Sequence, residues 1–215
     1  MSDREYRTLT RAVVDVRSAG DAGEDSGEMW VEGYASTFNE PYTMADNERL
    51  LLREQVDPHA FDETEMDDVI MQYDHVGRVF ARKRNGTLEV TVDDHGLKIR
   101  ARLDGTEIGR QLYEEIRGGY TDRMSFGFSV PKDGERVEKA NGEDGRIHAL
   151  RTITRVRKLY DVSAVSLPAN DATEISARSL SEGVIAQAME EFHAQEERQR
   201  KIEAILAIQI GGTDQ

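Results

Sequence analysis

The sequence has no cysteine among its 215 residues. This absence excludes disulfide bonds, zinc sites with thiolate ligands and thiol nucleophiles, and it fits an intracellular protein. The chain also lacks any run of about 18 apolar residues. Its N-terminus, Met1 to Glu5, shows no basic segment followed by an apolar core. We therefore expect neither a membrane span nor a signal peptide.

Positive charge is scarce as well. Lys and Arg together number 28 against 42 Asp and Glu, which gives a formal net charge of −14. An acidic surface repels nucleic acid and anionic membranes, so we expect proteins or small molecules as partners. The HExxH motif, the glycine-rich phosphate loop and the GxGxxG fingerprint are also missing. The sequence thus predicts no cofactor and no metal, and leaves Ser, Thr, Lys or a carboxylate for covalent catalysis.

Alternating apolar residues and turn signals predict a mostly β protein with helices, an α+β fold. The predicted strands cover residues 6–16, 29–35, 49–52, 69–73, 79–83, 88–92, 97–103, 124–130, 148–157 and 159–167. The predicted helices cover residues 62–68, 106–117 and 181–208, with a short helix after Asp171. Residues 131–145 are polar and rich in glycine, and we expect an exposed loop there. We divide the chain into a main domain, 1–178, and a C-terminal helical tail, 179–215, that docks, tethers or is removed.

One predicted strand combines an apolar face with a face of small residues. Met124, Phe126, Phe128 and Val130 share the first face, and Ser125, Gly127 and Ser129 share the second. A face without bulk lets another chain approach the Ser125 hydroxyl, as a nucleophile requires. The alternative is that Ser125 is only a small residue between packed strands, so a base and an orienting group are needed as well.

Two further residues are candidates for those roles. His75 follows Val69, Met71 and Tyr73 on one strand face, whereas the other four histidines stand in turns, a loop or the tail. Asp161 lies in an apolar strand, where a carboxylate needs a partner, and Ser163 shares its face as a secondary donor. The pattern alone leaves two alternatives open. His75 could be a hydrogen-bonded histidine at the sheet margin, and Asp161 could form an edge-strand ion pair with Arg155, Arg157 or Lys158.

A longer ordered set of motifs resembles a known family. The motifs are Gly33-Tyr34-Ala35, Phe38-Asn39, Ala60-Phe61, His75 with Gly77, Asp94-His95-Gly96-Leu97, Gly118-Gly119, Met124-Ser125-Phe126-Gly127-Phe128, Asp161-Val162-Ser163 and Pro168-Ala169-Asn170. In this order they resemble the prohead (capsid maturation) proteases of tailed phages, over residues 29–176. That family is similar in fold to the herpesvirus assembly proteases.

The resemblance implies a small closed or partly closed β-barrel with surrounding helices. It implies a serine endopeptidase with Ser125 as nucleophile and His75 as general base, without a metal or cofactor. The third member is His in the herpesvirus enzymes and an acid in phage relatives, and Asp161 is the acid that matches here. The implied place of action is the host cytoplasm, inside the prohead. The implied substrates are the major capsid protein, scaffold segments and the protease itself, with a homo-oligomeric enzyme.

Two other functions remain to be weighed against the protease. One is a catalytically inactive assembly or scaffolding protein on the same fold, which the acidic surface and the helical tail would suit equally well. The other is a small-molecule hydrolase, which is disfavoured because no feature of the sequence indicates a closed apolar pocket. A distance of about 4 Å or less between Ser125 Oγ and a His75 ring nitrogen would favour the enzyme.

Overall fold

Residues 4–8, 15–18 and 28–165 are described by a computed structural model. The strands are β1 (Glu5–Thr8), β2 (Asp15–Ser18), β3 (Met29–Thr37), β4 (Tyr42–Asp46), β5 (Leu50–Val56), β6 (Ile70–Tyr73), β7 (Val76–Arg82), β8 (Leu88–Val92), β9 (Gly96–Arg102), β10 (Arg123–Ser129), β11 (Glu135–Asn141), β12 (Ile147–Ile153) and β13 (Lys158–Val165). One helix, α1 (Glu107–Arg117), and a 3-10 turn at Lys83–Asn85 complete the described elements. None of the helices described is long and apolar enough to cross a membrane.

The strands form three sheets. The first has the order β1-β10-β13-β6-β7, the second β11-β12-β5-β4 and the third β2-β3-β9-β8. Most neighbours are antiparallel, but β13 runs parallel to β6 and β12 runs parallel to β5. In the first sheet, the central strands β10 and β13 lie side by side, and this pair positions the candidate site.

The hydrophobic core lies between the sheets and beneath α1. Phe126 and Phe128 of β10 stack with ring centroids 4.5 Å apart, and Phe61 meets Phe126 edge to face at 6.2 Å. Helix α1 begins where Thr106 Oγ1 accepts a hydrogen bond from the Gly109 amide, which caps an otherwise unpaired N–H group. The helix turns its apolar residues inward, and the fully buried β10 side chains anchor the strand that carries Ser125.

The mostly β, α+β class predicted from the sequence is confirmed. The described strands form three separate sheets, and none of these closes into a barrel, because the first and last strands of each sheet do not pair with each other. The tail helix, the helix after Asp171 and the boundary at residue 178 lie outside the described residues. The division into two domains therefore stays a prediction.

Two local predictions are wrong for identifiable reasons. Residues 62–68 form turns and not a helix, since the local amides bond three residues back, as Thr64 does to Phe61. Strand β11 falls inside the expected loop at 131–145, because it is an exposed edge strand that needs no alternating apolar residues. The sequence also gave no signal for β4, which is an edge strand of the same sheet.

Candidate active site

Ser125 lies in the middle of β10, directly opposite Ser163 of β13. Its neighbours Met124 and Phe126 are fully buried in the core, so the Ser125 side chain points to the other face of the sheet. There, Ser125 Oγ lies 2.5 Å from Nε2 of His75. None of the surface of Ser125 is exposed.

His75 occupies a tight turn between two strands of the first sheet. Tyr73 of β6 pairs with Val76 of β7, which leaves Asp74 and His75 as a two-residue hairpin loop. Both loop residues have positive φ, 48° and 59°, which is uncommon for residues other than glycine. The turn is fixed by two hydrogen bonds to β13, from the Asp74 amide to the Ala164 carbonyl at 3.1 Å and from the His75 amide to Ser163 Oγ at 3.2 Å. Backbone held in a sparsely populated region is typical of functional sites.

Asp161 supplies the third group. Its Oδ1 lies 2.5 Å from His75 Nδ1, and its Oδ2 pairs with the guanidinium of Arg4. Burial alone would raise the pKa of the Asp161 carboxyl, but the interactions with His75 and Arg4 lower the pKa below its usual value. Asp161 is therefore an ionised carboxylate that accepts a hydrogen bond from Nδ1–H of His75 and leaves Nε2 facing Ser125.

Ser163 connects the histidine and the acid. Its Oγ lies 3.1 Å from Asp161 Oδ1 and 3.3 Å from His75 Nδ1, and it also accepts the bond from the His75 amide. The hydroxyl thus touches both the ring and the backbone of the histidine. The sequence pattern suggested Ser163 as a secondary donor, and the structure places it beside this pair.

Gly127 makes room for the carboxylate. A Cβ atom at this position would lie 2.2 Å from Asp161 Oδ2 and 3.0 Å from a ring carbon of Tyr6. No side chain fits at that separation. The sequence showed small residues beside Ser125 on one face of the strand. The Asp161 carboxylate and side chains from β1 fill the space that these small residues leave.

The structure brings together the three residues that the sequence singled out, and the Ser125 to His75 distance lies within the expected limit. Two of the three alternative partners of Asp161 are engaged elsewhere, since Arg155 pairs with Asp133 and Lys158 pairs with Glu65. Of the other histidines, His59 is largely exposed on a turn, and His193 lies outside the described residues. The catalytic roles themselves stay a prediction.

Sequence reasoning missed the contribution of β1. The ring centroid of Tyr6 lies 4.3 Å from that of His75, and the carbonyl of Arg7 accepts a hydrogen bond from Ser125 Oγ at 2.8 Å. The sequence signal that could have indicated this contribution is the number of ionisable residues in and beside the first predicted strand. Buried charges require partners, so such a strand is expected to contact other charged groups. The partners of Arg4 and Arg7 could not be read from that signal.

The arrangement suits nucleophilic attack by a serine. A carboxylate orients an imidazole, the imidazole faces a hydroxyl, and the hydroxyl can lose its proton to the ring as it attacks a carbonyl carbon. Within the described part of the chain, no three His, Asp or Glu residues converge in a way that could hold a metal ion. The arrangement of Ser125, His75 and Asp161 is the one that acyl transfer through a serine requires.

Comparison with known proteins bears on the same question. A family model described as Caudovirus prohead serine protease matches residues 14–191. A search of curated proteins finds no match. Among solved structures, the chain is similar to the capsid assembly protease gp21 of bacteriophage T4, with a TM-score of 0.44 and 12% identity, over 77% of this chain and 98% of that one. Because the family model covers most of its length, the chain belongs to the Caudovirus prohead serine protease family.

Proposed function

We propose that the protein is a serine endopeptidase that cuts capsid proteins, scaffold proteins or both inside the prohead during maturation. The observation that carries this proposal is the continuous chain of contacts from Ser125 through His75 to Asp161, with 2.5 Å at each step. Membership of the prohead serine protease family supports the same reaction.

The reaction starts with the attack of Ser125 Oγ on a peptide carbonyl carbon. The hydroxyl proton passes to His75 Nε2, and Asp161 stabilises the imidazolium through the Nδ1 hydrogen bond. Collapse of the tetrahedral intermediate breaks the C–N bond, and the leaving amine takes the proton from His75. The acyl group is then held as an ester on Ser125. A water molecule gives its proton to His75, attacks the ester and releases the new carboxyl end while Ser125 regains its proton.

The proposal extends to the substrates and the setting, and membership of the family supports both. The major capsid protein and scaffold segments are the substrates, and the protease cuts itself as well. It acts as a homo-oligomer in the host cytoplasm, within the prohead, with residues 179–215 as a docking, tethering or removable tail. The fold that we propose for the whole protease domain is a partly closed barrel built around the first sheet.

Co-expression with the major capsid protein of the same phage tests the proposal. Wild type is compared with Ser125→Ala and Ser129→Ala, and all proteins are measured by intact mass. Ser129 is an apt control because it lies on the same strand, is equally buried and accepts a hydrogen bond at Oγ from the Tyr160 hydroxyl, at 3.5 Å. We expect defined capsid fragments with wild type and Ser129→Ala only. Proheads that assemble without any cleavage in the three samples would favour the inactive scaffolding protein.

A further inference from the structure

The strand that carries Ser125 has no free edge in this structure. Strand β13 pairs with one side of β10, and β1 pairs with the other, from Glu5 opposite Phe128 to Thr8 opposite Ser125. Peptides often bind proteins by adding a strand to an exposed sheet edge. Here a segment of the same chain lies where such a peptide would reach the nucleophile.

The backbone of β1 meets Ser125 as a substrate backbone would. The Arg7 carbonyl oxygen lies 2.8 Å from Ser125 Oγ, on the hydroxyl that also lies 2.5 Å from His75 Nε2. A serine hydroxyl has one proton, so the Arg7 carbonyl and the imidazole compete for it. The backbone carbonyl of Arg7 therefore already lies next to Ser125, where the carbonyl of a substrate would have to bind.

Tyr6 of β1 and Arg4, which immediately precedes this strand, cover the rest of the site. Tyr6 packs against the imidazole of His75, and Arg4 pairs with Asp161. The Asp161 carboxylate thereby interacts with both His75 and the guanidinium of Arg4, which stays charged. The positive charge of Arg4 reduces the stabilisation that Asp161 gives to a protonated His75 ring. Since Ser125 is fully buried, a polypeptide substrate cannot reach it while β1 is in place.

The opposite face of β1 fits a complementary pocket. Arg7 Nε donates to Glu54 Oε1 at 2.5 Å, and Arg151 Nη1 donates to Glu5 Oε2 at 2.9 Å. The pocket lowers the pKa of Glu54 to about 2, because the charges of Arg7 and Arg151 outweigh the effect of burial. Glu54 on β5 thus binds the guanidinium of Arg7, and Arg151 on β12 binds the carboxylate of Glu5. The two bound groups lie two residues apart on β1.

Strand β1 touches the described hydrophobic core through Arg7, whose guanidinium carbon lies 5.6 Å from the centroid of the buried Phe128 ring. That core runs from Val31 to Val165 and includes no residue of β1. Glu54 and Arg151 also pair with each other, so neither is left as an isolated buried charge when β1 departs. A buried ion pair stabilises a fold less than an apolar contact of similar size. The segment is therefore held mainly by contacts of charged and polar groups, which water can replace when β1 leaves.

We propose that the β10 edge is the peptide-binding site of the protease, filled here by residues 4–8 of its own chain. The site takes an extended peptide with Glu and Arg two residues apart on one face, and it opens to substrates only when β1 leaves. The role of Ser125 in this inference rests on the proposed function, whereas the binding of the peptide does not.

Peptide binding tests the site without any chemistry. A chain that begins at residue 9 is titrated into a fluorescent peptide of residues 1–14, and anisotropy gives the Kd. We expect saturable binding, at least tenfold weaker for the Glu5→Ala/Arg7→Ala peptide and weaker still for a scrambled peptide. Equal affinity for all three peptides, or none for any, overturns the proposal. If the shortened chain does not fold, the full chain with Glu5→Ala/Arg7→Ala replaces it.

Reaction with a fluorophosphonate tests whether β1 closes the site. The probe modifies an activated serine, and its rate at Ser125 is followed by mass spectrometry. We expect Glu5→Ala/Arg7→Ala in the full chain to react at least tenfold faster than wild type. The control Arg136→Ala/Glu138→Ala removes a similar pair, exposed on β11, and leaves the rate unchanged. Equal rates in wild type and Glu5→Ala/Arg7→Ala overturn the closure, whereas specific peptide binding without any reaction at Ser125 supports the site and overturns the proposed function.

Discussion

Gly127 lies directly opposite Asp161 in the ladder between β10 and β13. The Asp161 carboxylate occupies the space that a side chain at position 127 would fill, with Oδ2 only 2.2 Å from an ideal Cβ atom. The same strand thus provides a nucleophile at Ser125 and, two residues later, the gap for the acid. Because of this spacing, the acid Asp161 can lie on the neighbouring strand β13 of the same sheet and need not be carried by a loop.

We therefore expect Gly127→Ala to abolish most activity while the protein remains folded. The methyl group displaces the Asp161 carboxylate and breaks its hydrogen bond to His75, so the reduction in kcat approaches that of removing the acid. The control is Gly105→Ala, where a Cβ atom meets nothing within 4 Å. Peptide cleavage and thermal unfolding are measured together. Full activity in Gly127→Ala would contradict the placement of the acid.

Asp161→Asn tests the orienting role. The amide keeps the shape of the side chain but cannot hold the His75 tautomer that presents a free Nε2 to Ser125. We expect kcat to fall by about 10,000-fold, the effect of this change in other serine proteases. Asp122→Asn, on an exposed side chain next to β10, is the matched control and should retain activity. A loss below tenfold in Asp161→Asn would show that another group orients His75.

Ser163→Ala tests a positioning residue. The change removes the acceptor of the His75 amide and the contacts to Asp161 and the imidazole, and leaves the three catalytic side chains present. We expect kcat to fall by about tenfold to a hundredfold with little change in KM, because the Ser163 hydroxyl acts through His75 and Asp161. Ser163→Thr, which keeps the hydroxyl, should recover part of the rate. An equal loss in both variants would point to packing and not to the hydroxyl.

The buried pocket around Glu54 predicts that the folded protein loses stability in acid. Its folded pKa of about 2 lies below the ordinary 4.5, so the pocket contributes stability that is fully present above pH 4.5 and is lost as the pH falls towards 2. Arg7 and Arg151 stay charged throughout this range. Glu5 shares both of these arginines with Glu54, and the Tyr42 hydroxyl donates a hydrogen bond to Glu54 Oε1. This shift accounts for up to about 3 kcal/mol of the free energy of unfolding.

Urea unfolding between pH 2 and pH 6 measures this contribution. Glu54→Gln should show a shallower loss of stability over this range than wild type. Glu138→Gln, on an exposed ion pair of β11, should follow the wild-type curve. Parallel curves for wild type and Glu54→Gln would mean that the pocket does not control the acid response.

The sequence was most informative where one strand face is buried. The alternation around Ser125 and the helix at 106–117 were predicted because apolar spacing reports the face turned to the core. The exposed edge strands β4 and β11 have no such face, and they were missed or assigned to a loop. The turns at 62–68 contain helix-forming charges, but the local hydrogen bonds to Asp57 and His59 favour turns instead.

For the candidate site, the three central side chains could be selected but their convergence could not be derived. It depends on the β10–β13 register and on a two-residue turn at Asp74 and His75 that no glycine marks. The contacts of Arg4, Tyr6 and Arg7 join positions more than 40 residues apart in the sequence, and only the folded chain shows them. A single sequence reports periodicity along a strand, not the neighbours across it.

The most direct test of the account is to identify the residue that carries the acyl group during cleavage. Cleavage of the capsid protein is stopped with acid at early times, and the covalent adduct is mapped by mass spectrometry in wild type, Ser129→Ala and Ser125→Ala. The account predicts an ester on Ser125 in the first two proteins and neither adduct nor fragments with Ser125→Ala. Continued cleavage by a folded Ser125→Ala protein, or an adduct on any other residue, would contradict it.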